Sequence, residues 1–276
     1  MFEITRTEQF SPSTFLWEVR APEIARAARP GQFVIVHCDE MSERIPLTIA
    51  DFDAVSGTVT IVIQAAGKST LDMMAYKAGD RILDIAGPLG EASVIENFGT
   101  TVLVGGGLGV APVYPILRAL KLKCCRTISI IGFRSMSLMF WEGRFREYSD
   151  ETIIVTDDGS YGQQGLVTQP LKRIIMERQI DRVIAIGPLV MMKACAEVTR
   201  PLNIKTIISA NPIMVDGTGM CGSCRVSIGG EVKFACIDGP DMDGHLVNFD
   251  ELIIRQKRFH KYEKQSLDLR DAQKSN

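Results

Sequence analysis

The stretch "VLVGGGLGVAP" (102–112) sets four glycines between an apolar strand pattern and a helical pattern. Glycines at such a turn let the backbone approach a diphosphate, whose charge is met by free N–H groups at the helix N-terminus. The stretch departs from the standard G-x-G-x-x-G, because Pro112 or Val110 takes the last place. A tight strand-to-helix turn with no ligand explains much of the same pattern. The stretch alone therefore indicates a variant nucleotide-binding fold.

The chain beyond this turn alternates strand and helix patterns. "TISIIGF", "ETIIVTDD", "DRVIAIGP" and "KTIISAN" are nearly continuous apolar runs, typical of strands covered on both faces of a parallel sheet. The segments between them, around 113–121, 137–148, 166–179 and 189–200, have helical length. We therefore predict a doubly wound α/β domain over residues 99–210.

Residues 1–98 have a different pattern. Short β-rich runs such as "FVIVHC", "TVTIVIQA" and "DRILDIAG" are separated by turn formers and lack long intervening helices. This spacing predicts a small antiparallel barrel or sandwich. A chain of 276 residues, 46% apolar and 23% charged, is long enough for this domain and the α/β domain.

Charge and hydropathy bear on partners and location. The formal net charge of −2 gives no general attraction to nucleic acid, and no nucleic-acid partner is expected. The start "MFEITRTEQF" has no apolar signal run, and no segment approaches the ~20 apolar residues of a membrane span. A cytoplasmic protein is therefore the expectation.

The seven cysteines fall into two groups. Cys38, Cys124, Cys125 and Cys195 are scattered among apolar residues and are expected to be small buried side chains. The other three lie within residues 211–252, a glycine-rich segment too short to build its own core and therefore expected to be stapled. The charged remainder, 253–276, predicts a short helix that frays into a tail.

The cysteine segment has the spacing of a metal site. Asp216, Cys221, Cys224 and Cys236 follow the plant-type [2Fe–2S] pattern, C-x₄-C-x₂-C…C, with aspartate in the first place. A carboxylate can bind iron, and it changes the potential because it is a harder ligand than thiolate. A Cys₃Asp zinc site and a metal-free redox C-x-x-C are the alternatives. We rank the cluster first, because the metal-free alternative leaves Cys236 unexplained.

Two stretches of the first domain, "ERIPLTIAD" (43–51) and "QAAGKSTLDMM" (64–74), are similar to the flavin-binding barrel of the ferredoxin-NADP reductase superfamily. In that family an arginine-containing strand lies against the flavin, and a following glycine turn binds its diphosphate. An arginine fork, a threonine hydroxyl and turn amides suit phosphate oxygens. The resemblance implies FAD contacts at Arg44, Pro46, Leu47, Thr48, Val62, Ile63, Gln64, Gly67, Lys68, Ser69 and Thr70.

The same family binds NAD(P) at the glycine turn and borders the nicotinamide with a later Gly-Pro. Two carboxylates in "TDDGSYGQQG" suit a ribose diol and repel a 2′-phosphate, which favours NAD(H) over NADP. Arg134 is a weaker indication in favour of NADP. No acid–base residue is predicted, because hydride transfer from nicotinamide to flavin needs alignment above all. The implied contacts are Gly106, Gly107, Gly109, Ala111, Pro112, Arg134, Asp157, Asp158, Gly187 and Pro188.

The order of barrel, nucleotide domain and cysteine segment resembles the electron-transfer subunit of dihydroorotate dehydrogenase, which has four cysteines. The aspartate-containing segment is closer to the small subunits of NADH-dependent reduced ferredoxin:NADP oxidoreductases, also called sulfide dehydrogenase small subunits. This resemblance implies an oxidoreductase subunit that moves electrons between NAD(H), FAD and a [2Fe–2S] cluster. It also implies a heterodimer with a larger flavoprotein of the glutamate synthase small-subunit type, carrying FAD and [4Fe–4S] clusters, and electron bifurcation.

Two other functions stay open from the sequence. The chain could deliver electrons to dihydroorotate dehydrogenase or another acceptor. It could also be a zinc-stapled nucleotide-binding regulatory module without turnover. Flavin and iron–sulfur absorption distinguishes the redox functions from the regulatory one.

Overall fold

An antiparallel sheet of seven strands forms the first part of the chain in the computed structural model, which describes residues 1–274. The sheet has the order β6-β1-β2-β5-β4-β3-β7. Its interior is filled by fully buried side chains such as Trp17, Ile49 and Ile61. The elements are β1 (Phe2–Ser11), β2 (Thr14–Arg20), α1 (Pro22–Ala27), β3 (Phe33–His37), β4 (Arg44–Asp53), β5 (Thr58–Gln64), α2 (Lys68–Met73), β6 (Arg81–Ile82) and β7 (Asp84–Leu89).

A second sheet of seven strands follows. Helices between its strands cover its faces, as the continuous apolar runs predict. The elements are β8 (Thr100–Gly106), α3 (Val110–Leu122), β9 (Arg126–Phe133), α4 (Glu142–Tyr148), β10 (Glu151–Thr156), β11 (Gln163–Gln164), α5 (Thr168–Glu177), β12 (Arg182–Ile186), α6 (Leu189–Thr199), β13 (Lys205–Ser209) and, from the cysteine segment, β16 (Asp241–Asp243). The strand order is β11-β10-β9-β8-β12-β13-β16, and all strand pairs are parallel except the pair of β13 with β16.

The cysteine segment is attached to the parallel sheet. Its strands β14 (Arg225–Ile228) and β15 (Glu231–Phe234) form a hairpin, and β16 (Asp241–Asp243) pairs antiparallel with β13. Helix α7 (Phe249–Gln256) follows, so the predicted boundary between 252 and 253 falls inside a helix. The described elements confirm the predicted fold class of an antiparallel barrel sheet followed by a doubly wound α/β sheet.

The predicted tail forms helix α8 (His260–Lys274); residues 275–276 lie outside the described part. Helix α8 packs on α2, where Arg270 Nε lies 2.6 Å from Asp72 Oδ1. One cysteine expectation is wrong: Cys124 is exposed, because the chain leaves α3 there through a left-handed residue with φ 61°. Within residues 1–274, no helix is both long enough and apolar enough to cross a bilayer.

Candidate functional site

A cleft of about 850 Å³ lies between the barrel sheet and the parallel sheet. All three parts of the chain line it: the barrel, the nucleotide-type domain and the cysteine segment. The sequence-predicted residues on its wall are Pro46, Leu47, Thr48, Val62, Gln64, Gly106, Gly107, Gly109, Ala111, Pro112, Arg134, Asp157, Gly187 and Pro188. Two sets of residues predicted from separate motifs therefore face one cavity.

The barrel wall of the cleft consists of neighbouring strands. Pro46, Leu47 and Thr48 come from β4, and Val62 and Gln64 come from β5. Strand alternation explains the β5 pair, because residues i and i+2 of a strand share a face. Two predicted residues lie elsewhere: the Ile63 side chain is fully buried in the barrel interior, and Arg44 is exposed at the start of β4.

The predicted diphosphate turn, Gly67–Thr70, lies outside the cleft wall and is ordered by its own side chains. Thr70 Oγ1 accepts hydrogen bonds from the backbone N–H groups of Ala66 (3.0 Å) and Gly67 (3.1 Å). Lys68 pairs with Asp72 at 3.4 Å, and Ser69 donates to Glu43. The turn is thus preformed, and its Lys68 supplies a positive charge next to the barrel.

Two positions of the glycine turn require glycine for different reasons. At Gly109 an added Cβ would lie 2.2 Å from the carbonyl oxygen of Ile186, so this glycine permits close approach of the turn to β12. At Gly107 φ is +54°, and an added Cβ would meet no atom within 4 Å. Gly107 therefore faces open space in the cleft, where a bound nucleotide can approach its backbone. This arrangement fits the diphosphate role that the sequence predicts.

The two aspartates after β10 differ in their surroundings. Asp157 lines the cleft together with Arg134. Asp158 instead caps a turn: its Oδ1 accepts from Ser160 Oγ (2.6 Å) and Ser160 N (2.9 Å), and these bonds lower its pKa. Of the two carboxylates, Asp157 is the one on the cleft wall.

Several cleft residues were not predicted from the sequence. They come from the start of β2, from β3, from the segment after β9, from the end of β13, and from the start and middle of the cysteine segment. No local motif marks them, because only tertiary folding brings them together. Examples are Thr14, Phe33, Leu138, Phe140, Ser209, Asn211, Met214 and Pro240.

The cysteine loop is shaped by three glycines and one carboxylate. Gly217, Gly219 and Gly222 have φ between 67° and 85°, a left-handed conformation that glycine adopts without strain. Asp216 Oδ1 accepts from Thr218 N (2.8 Å), and its Oδ2 accepts from Cys221 N (2.9 Å). These bonds, first of all that from Thr218, lower the pKa of Asp216. Asp216 is thus an ionised side chain beside the first cysteine.

The other two cysteines lie together in the interior. Cys224 Sγ and Cys236 Sγ are 3.2 Å apart, and both residues are 2% exposed. Burial, followed by the neighbouring Cys224 thiol, raises the pKa of Cys236 to about 12. Exposed Cys221 has a lowered pKa, chiefly because the Ser223 backbone amide donates to its sulfur.

The four predicted ligands fit an iron–sulfur group by their chemistry. They lie as two pairs, and within residues 1–274 no three metal-ligating side chains converge on one point. The two pairs lie next to each other, because the Gly219 backbone amide and the charge of Asp216 both affect the pKa of Cys236. Thiols with amides directed at sulfur are the donors that such clusters use, and a carboxylate is a harder ligand that can also bind iron. Asp216, Cys221, Cys224 and Cys236 are the residues that would hold it.

An antiparallel barrel and a parallel nucleotide-type sheet around one cleft define the ferredoxin-NADP reductase class of flavin and nicotinamide oxidoreductases. Residues 211–248 match the family model described as the iron–sulfur cluster binding domain of dihydroorotate dehydrogenase B. The chain is 42% identical to a Thermotoga maritima dihydroorotate dehydrogenase B (NAD(+)) electron transfer subunit homolog, over 96% of this chain and 94% of that protein. It is 33% identical to the electron transfer subunit of Desulforamulus reducens, over 83% of this chain and 90% of that protein.

A solved structure of an NADH-dependent reduced ferredoxin-NADP oxidoreductase, described in terms of flavin-based electron bifurcation, matches with a TM-score of 0.92. It is 41% identical and covers 97% of each chain. The chain belongs to the family of dihydroorotate dehydrogenase B electron transfer subunits and their homologues. The predicted resemblance to this group and the predicted oxidoreductase function are confirmed, and the cofactor prediction of FAD, NAD(H) and a [2Fe–2S] cluster agrees with the family and fold.

Proposed function

We propose that this chain exchanges a hydride between NAD(H) and FAD in its cleft and passes single electrons through a [2Fe–2S] cluster to a larger flavoprotein. The observation that carries the proposal is the shared cleft, whose wall comes from barrel, nucleotide domain and cysteine segment alike. When bound, the flavin accepts an electron pair from nicotinamide and releases electrons singly, and the cluster carries one at a time.

The residues proposed to bind the flavin and the nicotinamide nucleotide lie on different walls of the cleft. Thr48 and Gln64 offer polar groups on the barrel wall, beside the apolar Pro46, Leu47 and Val62, for the flavin ring. On the opposite wall Gly107 leaves room for the nucleotide diphosphate. Arg44 and the Gly67–Thr70 turn are assigned to the flavin phosphates by the family resemblance. The chain orients both rings, and no side chain is required to move a proton.

We assign Asp216, Cys221, Cys224 and Cys236 as cluster ligands, within the segment that matches the iron–sulfur domain. The boundaries proposed are 1–98 for the flavin barrel, 99–210 for the nucleotide domain, 211–252 for the cluster segment and 253–276 for the tail. The strands support the first two, since β7 ends at Leu89, β8 begins at Thr100 and β13 ends at Ser209.

The partner we propose is a glutamate synthase small-subunit-type flavoprotein in a bifurcating complex. Support comes from the 41% identical structure, which was described in terms of bifurcation. A second candidate is a dihydroorotate dehydrogenase catalytic subunit, which the similarity to dihydroorotate dehydrogenase B electron transfer subunits favours. Asp216, at the first ligand position, favours the glutamate synthase-type partner, because the aspartate-containing segment resembles the small subunits of NADH-dependent reduced ferredoxin:NADP oxidoreductases.

Anaerobic purification from the native host tests the proposal. Flavin bands with a broad iron–sulfur absorption, bleached by NADH, are expected, together with copurification of a large flavoprotein. A colourless protein that contains zinc would overturn the redox function. A copurified dihydroorotate dehydrogenase subunit would replace the first partner by the second and leave the electron-transfer function intact.

Asp157→Ser is expected to improve the use of NADPH about tenfold while lowering that of NADH, because the carboxylate on the cleft wall repels a 2′-phosphate. Arg134, which lines the same wall, remains to attract the phosphate. The check is the ratio of kcat/KM for the two nucleotides in flavin-mediated dye reduction. Asp158→Asn is the matched control, since Asp158 is bonded to Ser160. An unchanged ratio in Asp157→Ser contradicts the assignment.

A further inference from the structure

A cluster of ion pairs joins the barrel to the nucleotide domain away from the cleft wall. Asp51, in β4, lies with Oδ1 2.7 Å from Arg118 Nη1 of α3 and with Oδ2 3.1 Å from Arg144 Nη1 of α4. We call these three residues the interdomain clamp. Their side chains are 18%, 26% and 33% exposed, so solvent screens the clamp less than a fully exposed pair. One barrel carboxylate thus binds two helices of the other domain.

A strand irregularity directs the Asp51 carboxylate toward those helices. Ile49 of β4 packs into the barrel interior, and regular alternation would send Asp51 the same way. The pairing of β4 with β5 shifts between Ile49 and Asp51, as at a β-bulge. Bulges re-aim side chains, and this one turns a carboxylate out of the barrel core toward α3. The outward direction of Asp51 is therefore built into the strand.

Aromatic rings hold the two guanidinium groups in place. Arg118 and Arg144 lie 5.7 Å and 5.2 Å from the ring centroid of buried Tyr114. Arg144 also lies 4.4 Å from the ring centroid of Trp141, which precedes α4. Cation–π contacts of this kind fix the orientation of an arginine as well as its position. The clamp is thus ordered on the nucleotide-domain side before it meets Asp51.

Two of the three elements joined by the clamp, β4 and α3, also contribute residues to the cleft wall. Strand β4 carries Thr48, three residues before Asp51, and α3 carries Pro112, six residues before Arg118. At ~3.3 Å per strand residue and ~1.5 Å per helix residue, each wall residue lies ~10 Å along its element from the clamp. Each of these two wall residues therefore shares an element with a clamp residue.

We propose that the clamp sets the separation of the two cleft walls, which makes Asp51 a positioning residue for hydride transfer. This inference rests on the proposed function. The hydride takes both electrons from reduced nicotinamide to oxidised flavin, so no other oxidant is needed. Each ring is bound by its own wall, but their mutual distance depends on the contact between domains. Since misplacement of reacting atoms by ~1 Å costs ~100-fold in rate, loss of the clamp slows transfer without preventing binding.

Rapid anaerobic mixing of the FAD-loaded protein with NADH tests this role. Asp51→Asn is expected to lower the limiting rate of flavin reduction about tenfold, with the half-saturating NADH concentration changed by less than about twofold. Asp51→Glu, which keeps the charge, is expected to recover part of the rate. An unchanged limiting rate in Asp51→Asn with full FAD content would overturn the proposal, as would a change in half-saturation alone.

A double-variant cycle separates positioning from general weakening of the fold. If Asp51 and Arg118 act as one unit, the combined Asp51→Asn and Arg118→Gln variant reduces flavin no more slowly than the slower single variant. Fully additive losses overturn the proposal, because they show that the two residues act independently. Thermal midpoints and FAD content of each variant are measured alongside, so that unfolding is seen directly.

The matched control breaks an ion pair of the same helix that stays within one domain. Lys121 of α3 pairs with Asp150 at 2.6 Å, and their side chains are 36% and 39% exposed. Asp150→Asn is expected to leave the limiting rate unchanged even where its thermal midpoint falls. If NADH does not reduce the flavin of the wild-type protein, the proposed function and the clamp proposal are both overturned. If the wild-type protein and the Asp51→Asn variant reduce flavin at the same rate, only the clamp proposal is overturned.

Discussion

Asp216→Ala is expected to lose most of the bound iron, whereas Asp216→Cys retains it with a shifted reduction potential. Asp216 stands where a plant-type cluster has its first cysteine, five positions before Cys221. Its carboxylate is held on the cluster loop by the N–H groups of Thr218 and Cys221. Alanine removes the ligand, while cysteine supplies a softer one in the same place.

Iron and sulfide per chain, and the EPR spectrum of the reduced protein, measure the outcome after anaerobic purification. Asp238→Asn is the matched control, because Asp238 is a carboxylate of the same segment that accepts a backbone N–H, from Phe234 at 2.6 Å. The control is expected to keep the cluster. An alanine variant with wild-type iron content and an unchanged EPR spectrum would remove Asp216 from the ligand set.

The predictable part of the fold is the part with strong periodicity. Continuous apolar runs indicated β9, β10, β12 and β13 because buried parallel strands have no polar face. The glycine turn was predictable for a similar reason: Gly109 meets the backbone at Ile186 so closely that no other residue fits. Such requirements act locally, and they leave their mark in a short stretch of sequence.

Contacts that depend on tertiary folding were not predictable. Strand β16 of the cysteine segment joins the edge of the parallel sheet, although its three residues have no strand pattern of their own. The clamp was missed because it needs a bulge in β4 and two arginines far along the chain.

Strand β16 also brings a carboxyl group into the interior. Asp241 is partly buried; its Oδ2 accepts from Ser93 Oγ at 2.6 Å, and its buried Oδ1 has no hydrogen-bond partner among the described residues. Burial raises the pKa of Asp241 from 3.8 to about 6, although the nearby hydroxyl groups of Ser93 and Ser209 act in the opposite direction. Ser93 follows the barrel and Ser209 ends β13, so this group lies where all three parts of the chain meet.

The raised pKa predicts that Asp241 destabilises the fold as pH rises. Below about pH 4 the carboxyl is protonated in both folded and unfolded chains and has no effect on pH dependence. Between about pH 4 and pH 6 the folded chain keeps the proton that the unfolded chain has lost, so unfolding free energy falls with rising pH. The difference of about two pKa units corresponds to a loss of about 3 kcal/mol that is complete above about pH 7.

Asp241→Asn removes this titration. As pH rises from about 4 to 7, the thermal midpoint of the variant is therefore expected to rise relative to that of the wild type. Both proteins are compared at equal cofactor content. Asp243→Asn is the control on the same strand: burial acts to raise the Asp243 pKa, but Lys205 and the His245 amide lower it overall. Its carboxylate therefore stabilises the fold above its unfolded pKa, and its removal changes the pH dependence with the opposite sign. Parallel curves for wild type and Asp241→Asn would mean that Asp241 is ionised equally in the folded and unfolded chains.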